Sequence, residues 1–434
     1  MREMKDSGVA WIGEIPTSWD TKAIRNLLIE RNEKNRELSV KTILSLSAKS
    51  GVTLYSSENH SGNKPREDLS DYKIVRENDI VVNSMNILSG SVGLSKYTGV
   101  VSPVYYIYYP REKNNVQYLY FIFQCFEFQR SLRGLGNGIL IKETESGSLN
   151  TIRMRIPSKK LSLQELPSPP IDEQEKIAAH LDRKCTQIDA LISNAQQQIE
   201  KLKAYKQSVI TETVTKGLDP DVQMKDSGVE WIGEIPEHWS VSKVGYFYDI
   251  TLGKMLQPNS KENDTLEQYL CAMNVGGNTL SMNIVKEMWF SEKEKEYYAL
   301  HKGDLLVVEG GDIASSAILN FEPTNLYFQN ALHRVKAKKG TNEFLRYWLM
   351  FAKSRGFFDM ICNRATIAHF TKDKFINLPF VMVTIQEQQQ IIKYLDRKCS
   401  QIDKLIALKQ QKIEKLQQYK KSLIYEYVTG KKEA

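Results

Sequence analysis

The chain has 434 residues, of which 41% are hydrophobic and 26% charged; this is the composition of a soluble globular protein, and the length exceeds what one ordinary core accommodates. No apolar run approaches the roughly 18 residues of a membrane helix, and the opening MREMKDSG lacks the apolar segment of a secretion signal, so the expectation is a cytoplasmic protein with no membrane association. The net charge of +7 permits a nucleic-acid partner, but it is uneven: +5 over residues 1–171, zero over 172–218, −3 over 219–385 and +5 over 386–434. Bulk charge alone therefore does not indicate DNA.

In chain order, the first feature is a leader, MKDSGVAWIGEIPTSW at 4–19. It returns as MKDSGVEWIGEIPEHW at 224–239, with 13 of 16 positions identical. A globular stretch follows, in which 72–82 and 101–109 read as strands and 116–132 as helix. Residues 171–217 then read as one long helix. Ile177, Leu181, Ile188, Leu191, Ile192, Ala195, Ile199, Leu202, Tyr205 and Val209 fall at intervals of three and four, the spacing of a single helical stripe. Pro169 and Pro170 precede it, Asp172 is placed to cap it, and Gly217 and Pro220 stop it.

The second leader opens a second globular stretch, where 301–308 matches the first strand and 341–360 the helix. A second long helix at 385–430 repeats the first at an offset of 214 residues, and LDRKCTQID and LDRKCSQID differ at one position. Its stripe is Ile385, Gln388, Ile391, Leu395, Ile402, Leu405, Ile413, Leu416, Tyr419 and Ile424. Two helices of matched seam bury those seams against each other, giving an antiparallel intramolecular coiled coil. The seam residues are Ile177, Leu181, Ile188, Ile192, Ile199, Leu202, Ile391, Leu395, Ile402, Leu405, Ile413 and Leu416.

About 45 residues of helix extend on the order of 65 Å, roughly 20 base pairs of B-DNA. The symmetry of the two copies predicts circular closure: the first leader packs beside the end of the second helix near 428–430. Cys125, Cys185, Cys271, Cys362 and Cys399 contain no CxxC pair, so neither a disulfide framework nor a zinc cage is expected. Trp11, Trp19, Trp231 and Trp239 recur in the leaders and are read as anchors against the helix ends.

The leader MKDSGVxWIGEIPxxW, the repeated plan and the helix opening PPIDEQEKIAAHLD together resemble the specificity subunit of type I restriction-modification systems, over essentially the whole chain. The segments KPREDLSDYKIVRENDIVVNSMNILSGSVGLSKYTGVVSPVY, KGDLLVVEGGDIASSAI, NALHRV and RATIAHFTKDKFINLPF resemble target recognition domains of that family. VMVTIQEQ departs from the first copy's PSPPIDEQ, which puts the turn into the second helix in doubt.

The resemblance implies an α+β fold: two mixed α/β target recognition domains separated by two long antiparallel helices, pseudo-twofold symmetric. Leader and first recognition domain occupy 1–168, the first helix 169–218, leader and second recognition domain 219–382, and the second helix 383–434. It implies a non-catalytic subunit that recognises a bipartite site on double-stranded DNA and docks two methyltransferase subunits. Restriction subunits join where cleavage occurs. No cofactor is then bound by this chain, and S-adenosylmethionine and ATP with Mg belong to the partners. Consistent with this, the sequence has neither a GxxxxGK[ST] loop nor an HExxH site nor the NPPY-type motif of an amino-methyltransferase. The alternative is a coiled-coil interaction scaffold with no DNA role, which explains the helices but not the recognition-domain motifs.

Side chains that match base edges or hold phosphates are sought in loops leaving strands. In the first domain these are Lys64, Arg66, Asn83, Ser84, Asn86, Ser102, Tyr105, Arg133, Asn137 and Lys142. In the second they are Lys254, Gln257, Glu309, Asp312, Ser315, Asn330, His333, Arg334, Arg364, Thr366, His369 and Lys372. The competing reading of each is a solvated loop or a turn-stabilising side chain. Lys409, Lys412, Lys420 and Lys421 on the second helix face DNA, a partner or water.

Overall fold

In the computed structural model the two stretches of helical periodicity are single helices, Ile171–Lys216 and Ile385–Val428. The structure describes residues 2–56, 64–111, 114–136, 141–143, 149–151, 155–261, 263–277, 279–362 and 369–434. The chain divides into two compact units, and each takes part of both long helices. The first comprises Met1–Gln196 and Gln411–Ala434, the second Gln197–Gln410.

Within the first unit the two helical segments run antiparallel. His180 stacks on Tyr427 at 4.5 Å, and further along, Lys420 meets both carboxylate oxygens of Asp189 at 2.7 Å. Within the second unit the same holds. Lys409 donates to Gln198 at 2.5 Å, and Lys206 meets Asp403 at 2.6 and 2.8 Å. Ile177, Leu181, Ile188, Ile199, Ile391, Leu395, Ile402 and Ile413 are buried, each contributing about 1.5–3 kcal/mol through lost contact with water. Ile192, Leu202 and Leu416 are half-buried.

Leu405 is not a seam residue: it is 48% exposed, and Ile406 is the half-buried neighbour. Its counterpart Leu191 and the pair Tyr205 and Tyr419, also read as stripe positions, are exposed as well. The seam instead admits Lys206 and Lys420, whose aliphatic stems are covered while their ammonium groups reach the aspartates.

Each unit carries a four-stranded antiparallel sheet of the same order. In the first it runs Leu28–Glu30, Tyr105–Pro110, Ile80–Asn83, Val92–Leu94. In the second it runs Tyr248–Leu252, Leu332–Ala337, Leu305–Val308, Ser316–Ile318. The second unit adds a three-stranded sheet, Lys286–Phe290, Thr265–Leu270, Leu326–Phe328.

The continuous helices expected at 116–132 and 341–360 are each broken in two. Cys125 takes an extended conformation between Val116–Gln124 and Phe126–Ser131. Gly356 takes a left-handed one between Asn342–Ser354 and Phe357–Ile361.

The starts of the long helices are where the globular parts attach. Gln174 is buried; its amide oxygen accepts from the Asn115 backbone at 2.9 Å and its nitrogen donates to Pro169 O at 2.9 Å. Asn115 in turn caps the helix Val116–Gln124. Gln388, fully buried, does the same in the second unit: its oxygen accepts from the Thr341 amide and hydroxyl at 3.0 and 3.1 Å, and its nitrogen donates to Val383 O. Thr341 caps Asn342–Ser354. Asp172, expected as a cap, is exposed on the first turn. In the second helix Thr384 takes that role, its hydroxyl accepting from the Glu387 amide at 3.2 Å.

The leaders are short hairpins, Met4–Asp6 with Glu14–Pro16 and Met224–Asp226 with Glu234–Pro236. Trp19 and Trp239 are buried and donate their indole N–H groups to Glu173 and Glu387 at 3.0 and 3.1 Å. The closure expected for the first leader is present. Tyr425 and Lys431 donate to Ile12 O at 3.2 and 2.6 Å, Arg2 meets Glu433 at 2.8 Å, and Gly430 lies against Pro16 and Trp19.

Candidate nucleic-acid interface

In both units the same three parts of the chain meet at one end of the four-stranded sheet. In the first unit the strand Ile80–Asn83 ends opposite the start of Tyr105–Pro110, with Asn83 paired to Tyr105. Asn86 stands exposed on the turn that follows, and Ser102 and Tyr105 are half-buried. The third part arrives through Ile156, whose amide donates to Ser84 O at 3.0 Å. Lys73, which the sequence did not single out, donates to Tyr105 O at 2.9 Å, and burial lowers its pKa from the ordinary lysine value.

In the second unit the strand Leu305–Val308 ends opposite Leu332, and Glu309 follows it. The Glu309 amide donates to Ala331 O at 2.9 Å, beside Asn330, and its carbonyl accepts from Phe370 N at 2.7 Å. His369 approaches through a bridge to Gly310 and meets the Glu309 carboxylate at 2.8 Å, with its ring about half exposed. Glu309, Asn330 and His369 are thus brought together. Lys372 is exposed a short distance along the chain.

Several expected residues face inward instead. Ser84 is buried and donates to Val104 O at 2.7 Å; Asn83 is buried and accepts from the Met85 amide at 3.0 Å, shaping the turn. His333 is fully buried with Nε2 on Phe370 O at 2.7 Å, and burial lowers its pKa. Arg334 is buried, donating to Ala299 O and lying over the Phe328 ring at 5.3 Å. Lys254 is 5% exposed, paired with Glu294 and placed over the Phe290 ring at 4.9 Å. Turned into the interior, these side chains present no hydrogen-bonding edge at the surface, and His333 Nδ1 and Arg334 Nε are buried without a partner. All five face inward in this structure.

Asp312 and Ser315 form a separate cluster with Lys353, whose ammonium group, followed by the Ser315 hydroxyl, holds the Asp312 carboxylate below its ordinary pKa. Gln257 is engaged with Asp264 at 2.6 Å. Lys64 and Arg66 are exposed, with the Arg66 amide on Tyr72 Oη at 3.1 Å, and Arg133 is half-buried. Asn137, Arg364 and Thr366, and the side chain of Lys142, lie outside the described residues. Of the helix lysines, Lys409 and Lys420 are engaged with Gln198 and Asp189, and Lys421 lies over the Phe126 ring at 4.4 Å.

A family model described as the type I restriction modification DNA specificity domain matches residues 236–418. The MjaVIII type I restriction enzyme specificity subunit of Methanocaldococcus jannaschii is 25% identical, over 82% of this chain and 80% of its own. The chain is similar to type I restriction-modification specificity subunits over most of its length. The EcoBI specificity subunit of Escherichia coli is 26% identical over 56% of this chain and 53% of its own. A chain solved in a study of complex assembly and conformational transition of the type I R-M system shares the fold. Its TM-score is 0.68 at 12% identity, covering 95% of this chain and 98% of that one. These similarities support a role in DNA sequence specificity.

Proposed function

We propose that each globular unit of this specificity subunit reads one half of a bipartite duplex site, and that the subunit carries two methyltransferase subunits to it. One observation supports this above the others: leader, sheet order and helix attachment are duplicated, whereas the chemistry at the matching strand ends is not. Asn86, Ser102 and Tyr105 stand at one, and Glu309, Asn330 and His369 at the other. Asparagine pairs with adenine edges and a carboxylate accepts from the cytosine amino group, so the two ends suit different bases.

This chain performs no chemistry of its own. Methyl transfer with S-adenosylmethionine takes place in the partners, as does ATP and Mg-dependent cleavage where restriction subunits join. The protein works in the cytoplasm, and among the described residues no helix is long and apolar enough to cross a membrane. Partner docking is supported by apolar side chains left open at equivalent positions: Leu191 and Tyr419 in the first unit, Leu405 and Tyr205 in the second. A scaffold without a DNA role would not need two divergent strand ends on one duplicated frame.

The test is exchange of residues 240–382 for the corresponding segment of another family member, read by mapping methylated sites with the partner subunits present. One half-site changes and the other stays. A change in both halves, or in neither, contradicts the modular reading.

A further inference from the structure

Met255 is 75% exposed, more than any other large hydrophobic side chain among the described residues, and Leu256 beside it is 55% exposed. Exposed apolar side chains are unremarkable when scattered, but these two are held out by a loop fixed on each side. Gly253 donates to Leu332 O at 3.0 Å, and a Cβ there would lie 2.3 Å from Gln329 O, so the backbones touch in a way only glycine allows. Lys254 turns inward to Glu294; its amide donates to Phe328 O at 3.1 Å and its carbonyl accepts from Asn330 N at 2.8 Å. Beyond the pair, Gln257 O accepts from Trp289 N at 3.4 Å, and the Gln257 side chain is tied to Asp264.

The loop therefore rests on residues 328–332, the segment that also supports Glu309 through Ala331. Its apolar tip adjoins the strand end where Glu309, Asn330 and His369 gather. Counted from the repeated leader, the same two positions of the first unit are Asn35 and Arg36. Asn35 is buried and bonded to Val40, and Arg36 is exposed. The first unit thus presents charge where the second presents Met and Leu.

We propose that Met255 and Leu256 form an apolar wedge that enters a base step of the half-site read by the second unit. Separating stacked bases costs a few kcal/mol, and a wedge must be stiff to do it; a mobile loop would fold back. The pinning at Gly253, Lys254 and Gln257 supplies that stiffness. The inference rests on the DNA-reading function argued above.

The test uses the full chain with its methyltransferase partner and a duplex bearing the mapped site, with 2-aminopurine at successive positions of the second half-site. Wild type raises the fluorescence at one step. M255A/L256A abolishes that rise and weakens binding to the site on the order of tenfold, the worth of one good base contact. M255L retains both effects, and preferences in the first half-site stay unchanged. Circular dichroism and melting of M255A/L256A match wild type, because neither side chain is buried. An unchanged fluorescence profile and unchanged base preferences in M255A/L256A overturn the wedge. A loss of affinity without unstacking that is reproduced by uracil in place of thymine also overturns it, because the contact is then to a thymine methyl group. Absence of any site-specific binding by wild type overturns the DNA-reading function itself.

Discussion

Gly430 and Gly217 terminate the two long helices in the same left-handed conformation, with φ of 71° and 76°, yet their surroundings differ in a way that predicts unequal responses to alanine. At Gly217 a Cβ would meet the Trp239 ring at 3.5 Å, an ordinary contact. At Gly430 it would lie 2.5 Å from Pro16 Cδ and 2.9 Å from the Trp19 ring. Gly8, at φ of 71° with nothing within 4 Å of its Cβ position, isolates the conformational cost.

That cost is about 1 kcal/mol, so G8A and G217A should each lose about that much. G430A adds a contact that only backbone movement relieves, about 1–3 kcal/mol. Its total is about 2–4 kcal/mol, or a fall in melting temperature of about 5–15 °C for units of this size. Urea and thermal unfolding of the three variants measure the differences. A G430A loss no larger than that of G8A would refute the closure of the first leader onto the end of the second helix.

Two further outcomes follow from the buried polar groups. Burial lowers the pKa of His333 in the folded chain. Its stabilising share is therefore full above the unfolded value of about 6.5 and is lost as pH falls through the lower folded value. Wild-type stability should thus fall more steeply than that of H333Q between about pH 7.5 and about pH 5.5, and equal slopes by urea titration would show that the imidazole is not held neutral. Q388L strands the Thr341 amide and the Val383 carbonyl. At about 1–3 kcal/mol for each unpaired group, it should cost about 2–6 kcal/mol; a loss below about 1 kcal/mol would mean that water or a neighbour replaces the glutamine.

The helices, the leaders and the matching of the two globular stretches were legible because each is written in local periodicity and then written again. The candidate interface was legible only in part. Lys254, His333 and Arg334 have the side chains that read bases, but their partners Glu294, Phe370 and Ala299 lie 35 to 40 residues away, and no local pattern announces that distance. Met255 and Leu256 failed in the opposite sense, since exposed apolar residues carry no signal in a search for polar ones. Leu405 and Ile406 are adjacent apolar residues, and spacings of three and four cannot decide which of two neighbours faces the seam.

The glutamine that helps attach each globular part has a consequence for which parts a long helix can accept. An amide side chain offers one acceptor and one donor face, so Gln174 can receive a helix that begins with asparagine, while Gln388 receives one that begins with threonine. The rest of the incoming sequence is held by apolar packing on the long helix and by bonds such as that of the Tyr347 hydroxyl to Asp396 at 2.6 Å. A replacement reading head must therefore bring both a short polar residue to the start of its helix and an apolar face that fits the long helix.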